Sequence, residues 1–493
     1  MTKETQRARQ TLAGGQLPTF GKPSFGTKLA FGFGSAAFGV KDSGFSYFLL
    51  LFYGTVVGLE PGLVGLAILL ALVLDAVSDP LVGYWSDNFR SRWGRRHPFM
   101  YASALPVSFS FFLLWNPPDW SQGGLFVYLL CISVLIRTFI TFYETPSYAL
   151  LPELTTNYEE RTSIQLFRTF FAWVGGNLLT VLMFGVLLVP TEQYSDGILN
   201  HEAYATFGIL GSCLMFVAIM ISSLGTHHRI PGLRQPGPPK RKTVRQVFGE
   251  ISETLRDRNF LMLFWAFVMN SIAAGIAASL AFIMLSYFWE FTEFQRFIWT
   301  ASVFVSALGA LLLAPRLVRR FGKRQTVLSL GIIAFSIAPM PVVLRLLGLL
   351  PENGDPLLFP LITIINTVDL AMIIALQGTM YSMIADLAES GELRTGRRTE
   401  GVYYAAVTFT RKTTAGLGVF AGGMMLSAIS FPDGATPGSV DAETIWWLGA
   451  LYAPSLLVLW ATMLFAVSRF TIDRDRHQAN VRALAAGNDK RAR

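Results

Sequence analysis

Charge is what this chain is short of: only 15% of its 493 residues are Asp, Glu, Lys or Arg, where a soluble domain carries about a quarter. That shortage excludes a fold wetted on every side. Cysteine is nearly missing too. Cys131 and Cys213 both lie inside apolar segments, and two thiols make neither a disulfide framework nor a zinc site. The five histidines, His97, His201, His227, His228 and His477, fall in predicted loops or in the tail. No phosphate-cradling glycine loop, no dinucleotide glycine pattern after a strand and no nucleophile elbow occurs. Nothing therefore points to enzyme chemistry, to a bound cofactor or to ATP as the energy source. The first 26 residues are polar and lack an apolar h-region, so no cleaved signal peptide is expected.

Apolar sequence is what the chain has instead. Hydrophobic residues make up 52% of it, and windows of about twenty apolar residues, enough to cross a bilayer core, recur along its length. Twelve spans are predicted: 28–57, 62–86, 98–116, 123–152, 163–190 and 204–224, then 260–289, 297–318, 325–348, 357–388, 401–429 and 443–468. Between the two sets runs HHRIPGLRQPGPPKRKTVRQVFGEISETLRDRNF, basic and proline-rich. The expected fold is an all-α membrane protein of twelve transmembrane helices in two pseudo-symmetric six-helix bundles. The expected division is an N-terminal segment at 1–27, bundles at 28–224 and 260–469, a linker at 225–259 and a tail at 470–493.

The connections orient the chain. Even-numbered ones carry Arg90, Arg92, Arg95 and Arg96, then Arg229, Arg234, Lys240, Arg241 and Lys242, then Arg319, Arg320, Lys323 and Arg324, then Arg394, Arg397 and Arg398. Odd-numbered ones carry Glu60, Asp119, Glu192, Asp196, Glu352, Asp355, Asp433 and Asp441, with only Arg296 and Arg345 nearby. The positive-inside rule makes both termini and the linker cytoplasmic. The net charge of +8 is thus a topology signal, and nucleic acid is not an expected partner.

An internal repeat supports two halves. YALLPELTTNYEERT at 148–162 aligns without gaps on YSMIADLAESGELRT at 381–395, an offset of 233. Tyr148 meets Tyr381, Glu153 meets Asp386, Glu159 meets Glu392 and Arg161 meets Arg394. Span 4 thereby becomes the counterpart of span 10. Repeated halves with a site at their interface are the usual build of secondary transporters.

Charges within the spans mark candidate functional residues, because each costs roughly 2.5–3.5 kcal/mol at mid-helix on insertion scales. Lys41 and Asp42 lie in span 1, Asp75 and Asp79 in span 2, Arg137 and Glu144 in span 4, and Arg168 in span 5. Asp369 lies in span 10, and Arg411 and Lys412 in span 11. Asp75 and Asp79, four residues apart, project from one helical face. Two close carboxylates either share a cation or shift one protonation equilibrium, and hard cations seek such oxygens. Glu144 is placed to complete a sodium-binding set. The alternative is that the carboxylates pair with Lys41, Arg168 or Lys412 as structural ion pairs; the roles of Asp369, Arg137 and Arg411 stay open. RSRWGRR at 90–96 and LAPRLVRRFGKR at 313–324 are basic turns that orient the chain and cap helix ends. They also invite a cytoplasmic latch built from Arg95, Arg96, Arg161, Arg320 and Arg394.

A family resemblance follows from particular blocks. Asp75, Asp79, Pro80, Gly83 and Asp87, followed by GRRHP at 94–98, resemble the glycoside-pentoside-hexuronide cation symporters of the major facilitator superfamily. FGVKDSGF, YETPSYALLPEL, MIADLAESGELRTGRRTEGVYY and TFTRK extend the similarity along most of the chain. The resemblance implies the major facilitator fold, with Asp75, Asp79 and Glu144 as cation carboxylates. It implies a substrate site of Lys41, Asp42, Glu144, Tyr148, Arg168, Gln377 and Lys412. Glu144 stands where the family's sugar permeases have an aspartate, Tyr148 where they have a stacking tryptophan, and Gln377 near a second aromatic. These departures loosen the substrate assignment.

The expected function is cation-coupled symport of a sugar or glycoside by alternating access, with Na+ or H+ as coupling ion. A hexuronide or an amphiphile such as a lysolipid is the alternative cargo, and a non-transporting receptor or scaffold the alternative class. The expected partners are the substrate, the coupling cation and the lipid bilayer. The expected setting is a bacterial-type inner membrane, with the monomer as working unit.

Overall fold

The computed structural model describes residues 23–155, 158–194, 196–232, 258–395 and 400–471. The side chains of Arg161, Arg394, Arg411 and Lys412, most of the predicted linker and the tail beyond 471 lie outside the described residues. No β-strand occurs among the described residues.

The helices are α1 (Phe25–Phe33), α2 (Ala36–Ser43), α3 (Leu49–Leu51), α4 (Pro61–Asn88), α5 (His97–Leu114), α6 (Gln122–Leu154), α7 (Tyr158–Leu182) and α8 (His201–His227). There follow α9 (Arg258–Ile283), α10 (Glu293–Phe321), α11 (Lys323–Ile337), α12 (Met340–Leu346), α13 (Leu358–Thr395), α14 (Glu400–Ala428) and α15 (Ala442–Ser468). Local sequence starts several of them. The Asn200 amide oxygen accepts from the backbone N–H of Glu202 at 3.1 Å and opens α8. Thr292 and Gln295 form a reciprocal capping box on α10, and Asp441 caps α15. Pro61 opens α4, where its missing N–H is no loss. Such caps satisfy end groups that lipid cannot.

Ten helical stretches among the described residues are long and apolar enough to cross a membrane. The chain is an integral membrane protein. Two predicted spans look different. The first is segmented, with α1 ending at Gly34 and π-helical turns at Gly44–Phe48 and Phe52–Val56 flanking α3. In α14 only Thr414–Ala428 forms an apolar stretch. The predicted span 325–348 is divided into α11 and α12 around Ala338 and Pro339, because Pro339 and Pro341 have no N–H to continue the ladder.

The contacts divide the chain into two compact units, Met1–Arg241 and Lys242–Arg493. In the first, α4 packs on α6, α6 on α5, α5 on α8, α8 on α1 and α2, and these on α7. In the second, α10 packs on α13, α13 on α11, α11 on α15, α15 on α9, and α9 on α14. The two pairing orders are the same, so α6 and α13 are structural counterparts, as the repeat implies for spans 4 and 10. Close backbone approach is repeated as well. A Cβ on Gly39 of α2 would lie 1.9 Å from Ala172 O of α7, and one on Gly176 would lie 2.5 Å from Gly39 O. In the second unit a Cβ on Gly418 of α14 would lie 2.3 Å from Ile272 O of α9. Small residues let helices approach this closely in lipid, where packing rather than the hydrophobic effect drives association.

Candidate functional site

The site in the first unit starts with α4 lying against α6. Asp75 is near the middle of α4 and is 5% exposed; at about 1.5 Å per residue it is roughly 20 Å from either end. Asp79 follows one turn later on the same face. From α6, Thr141 reaches both: its Oγ1 is 2.8 Å from Asp79 Oδ1 and 3.2 Å from Asp75 Oδ1. A hydroxyl has one hydrogen, so it donates fully to only one of these oxygens. The hydroxyl and the two carboxylate oxygens thus converge on one place, where a proton or a cation would relieve the repulsion between the carboxylates.

Arg137 stands one turn before Thr141 on the same face of α6. Its Nη1 lies 3.6 Å from Asp75 Oδ2, and its guanidinium lies over the Phe45 ring, 4.6 Å from the centroid. Asp42 and Asp79 also act electrostatically on it. Lys41, buried, meets Asp42 Oδ1 at 2.7 Å, while the Asp42 side chain is 67% exposed. This carboxylate therefore borders open space and remains accessible to a ligand.

Further along the same face of α6 come Glu144, half-buried, and Tyr148, exposed. Arg168 of α7 is buried beside them, with its guanidinium 3.9 Å from the Tyr148 ring centroid and 5.1 Å from that of Phe31. Its Nη2 donates to Ser147 Oγ at 3.1 Å, while its Nη1 has no hydrogen-bond partner. Tyr148 also stacks with Phe38, centroids 6.3 Å apart. Arginine, tyrosine and acid together form a surface suited to hydroxyl-bearing or carboxylate-bearing ligands.

The predicted residues Asp75, Asp79, Lys41, Asp42, Glu144, Tyr148 and Arg168 thus all lie along α2, α4, α6 and α7 of one unit. No group of three or more His, Cys, Asp or Glu placed to hold a metal ion occurs among the described residues. Glu144 is not gathered with the aspartates into such a group, and the third converging oxygen is that of Thr141. Gln377 is half-buried on α13 in the second unit, and Lys412 belongs to α14 of that unit.

The basic turn after α4 has a defined partner. Arg96 donates from Nε at 3.0 Å and from Nη2 at 2.8 Å to Glu153 Oε1 at the end of α6, and Arg95 pairs with the same oxygen. Gly94 just before them has φ 74°, and Gly322 before the equivalent Lys323 and Arg324 has φ 78°. In the second unit Lys323 donates to Ser382 O at 3.1 Å; the side chain of Asp386, the repeat partner of Glu153, lies outside the described residues. Arg320 is exposed, its guanidinium over the neighbouring Phe321 ring. Sequence reasoning missed Thr141 and the role of Glu153 as an anchor. Glu153 was marked by the repeat; Thr141 was marked only by its position one turn from Glu144.

Known proteins share this plan. The family model described as MFS/sugar transport protein matches residues 30–474. YagG of Escherichia coli (strain K12), a candidate glycoside/cation symporter, is 26% identical over 458 residues, covering 93% of this chain and 94% of its own. The isoprimeverose transporter of Lactiplantibacillus pentosus is 23% identical over 387 residues, covering 78% of this chain and 76% of its own. The inward-open structure of the xylose transporter XylE from E. coli matches with a TM-score of 0.58 at 14% identity, over 93% of this chain and 98% of that one. That last similarity is one of fold.

Proposed function

The chain belongs to the MFS/sugar transport protein family, and from that premise we propose that it couples a monovalent cation to the transport of a sugar or glycoside by alternating access. It is a transporter rather than an enzyme. The observation that carries the coupling is the convergence of Asp75 Oδ1, Asp79 Oδ1 and Thr141 Oγ1, three oxygens sharing one hydroxyl hydrogen at membrane depth. A sodium ion or a proton there removes the repulsion between the carboxylates. In the loaded state Glu144 turns toward that ion from α6.

Substrate binds next to it. Asp42 accepts from hydroxyls, Arg168 donates from the Nη1 that lacks a partner, and Tyr148 offers its ring. Gln377 and Lys412 are proposed as further substrate-binding residues. Cation and substrate then tighten one another reciprocally. An anionic sugar such as a hexuronide is the second reading, favoured by the same orphaned Arg168 donor, since guanidinium and carboxylate bond strongly.

The setting follows the same reading. Twelve spans cross a bacterial inner membrane, both termini are cytoplasmic, and the monomer is the working unit. Arg95, Arg96, Arg161, Arg320 and Arg394 fasten cytoplasmic helix ends in one state and release them in another. Proteoliposomes given sodium or proton gradients and labelled glycosides, hexuronides or lysolipids test the proposal. Gradient-driven accumulation of a glycoside is expected; uptake of none of these under either gradient overturns it.

A further inference from the structure

The packing that seats Arg168 in the first unit recurs in the second. In the first, the Arg168 guanidinium lies 3.9 Å from the Tyr148 ring centroid and 5.1 Å from that of Phe31. A ring against the flat face of a guanidinium leaves its N–H edge for oxygen acceptors. Close backbone approaches fix which residues of the second unit correspond. A Cβ on Gly175 of α7 would lie 2.8 Å from Ala36 Cβ, and one on Gly39 would lie 1.9 Å from Ala172 O. In the second unit a Cβ on Gly418 would lie 2.3 Å from Ile272 O, and one on Gly275 would lie 2.5 Å from Ala415 O. Ala36 and Gly39 therefore correspond to Ile272 and Gly275, each 236 residues on. Ala172 and Gly175 correspond to Ala415 and Gly418, each 243 residues on. Gly34 and Ser35 keep helical dihedrals, φ −56° and −69°, so the α2 register carries back into α1.

These two offsets, with the 233 of the 148–162 repeat, bring one set of residues onto another of the same types. Phe31 falls on Phe267, Arg168 on Arg411 and Tyr148 on Tyr381. Phe267 is buried, and its ring packs on Tyr381 with centroids 5.1 Å apart. Arg411 is four residues before Ala415 in α14, as Arg168 is four before Ala172 in α7; its side chain lies outside the described residues. An arginine inside a span is costly, so packing alone does not explain its return at the same register. Two positions differ. Glu144 falls on Gln377, and Phe38, which stacks on Tyr148, falls on Ala274. The second set thus has an amide, both donor and acceptor, where the first has an acid.

We propose that the second unit carries a second sugar-binding set, in which Tyr381 supplies a ring and Arg411 the guanidinium that Arg168 supplies in the first. Tyr381 is one turn on from Gln377 and on the same face of α13, so it puts back the aromatic surface that position 377 lacks. A sugar offers an apolar ring face beside hydroxyl groups. Tyrosine, amide and guanidinium match those features, a few placed polar groups beside an aromatic surface. The inference rests on the reading that Arg168 and Tyr148 bind substrate.

The test is exchange of radiolabelled methyl and phenyl glycosides across proteoliposomes of the full chain, read as KM and kcat. Y381A and R411Q are each expected to raise KM about tenfold, the loss of one stacked or hydrogen-bonded partner, with kcat little changed. Y381F keeps the ring and is expected to recover most of the affinity. A merely structural role would lower the unfolding midpoint and leave KM where it was. If Y381A fails to fold, Y381L and R411Q carry the test. Unchanged KM in the folded variants overturns the inference. Y148A and R168Q are the matched pair in the first unit. If they alone raise KM, the first site stands and the second is refuted; if they also leave KM unchanged, the reading of the first site fails and this inference with it.

Discussion

Arg96 binds one oxygen of Glu153 through two of its nitrogens, at 3.0 and 2.8 Å, and Arg95 adds a third contact to that same oxygen. The far oxygen, Glu153 Oε2, has no hydrogen-bond partner. Glu153 thus sets one carboxylate oxygen against two guanidinium groups at the end of α6. Glu153→Ala leaves both without it. Breaking a buried pair from one side costs about 3–5 kcal/mol, and the partial exposure of Arg95 keeps the cost nearer the lower figure. A lowered unfolding midpoint in detergent is expected, and an unchanged midpoint refutes the assignment.

Thr141→Val preserves shape and removes the hydroxyl between the carboxylates. Hydrogen bonds to charged groups are worth about 1.5–3 kcal/mol, and tenfold in affinity is about 1.4 kcal/mol. Apparent cation affinity is therefore expected to fall roughly ten- to a hundredfold, while Thr141→Ser stays near wild type. Cation titrations of substrate uptake measure both.

Close packing makes a separate prediction. Gly39→Val is expected to abolish folding, because even a Cβ there meets Ala172 O at 1.9 Å. Gly378→Ala is the control: nothing lies within 4 Å of its added carbon, so an effect of under about 1 kcal/mol, in the stabilising direction, is expected. Yields of monodisperse protein and unfolding midpoints distinguish the two.

Asp369 shares its face of α13 with buried Ile362, Met372 and Leu376, and its Oδ1 has no hydrogen-bond partner. Leaving a buried polar group unsatisfied costs about 1–3 kcal/mol. Asp369→Leu is expected to raise the unfolding midpoint, and a fall would show that the carboxyl has a structural task.

These residues also show what could be read from sequence. Asp75 and Asp79 were legible because carboxylates in an apolar run are expensive and rare. Thr141 was not, because a threonine bonds its own helix and is inexpensive in a span, so its distance from two aspartates appears only when α4 meets α6. The span at 62–86, which α4 covers, and the α6–α13 correspondence followed from composition and from the 148–162 repeat. The segmented first span did not. Its π-helical turns lie among Phe48, Phe52, Trp115, Tyr204 and Phe207, whose rings pack in a chain through Phe207 and Phe52; apolar content alone carries no trace of that geometry. Glu153 and its arginines were visible as separate charges, and their contact depends on the positive φ of Gly94, which aims the turn back at α6.

The most direct test of the central claim compares gradient-driven accumulation with exchange for Asp79→Asn in proteoliposomes. Wild-type protein should accumulate labelled glycoside above equilibrium when a sodium or proton gradient is imposed. Asp79→Asn should exchange labelled for unlabelled glycoside without accumulating it. Accumulation by Asp79→Asn equal to wild type, with the same cation dependence, would contradict the account.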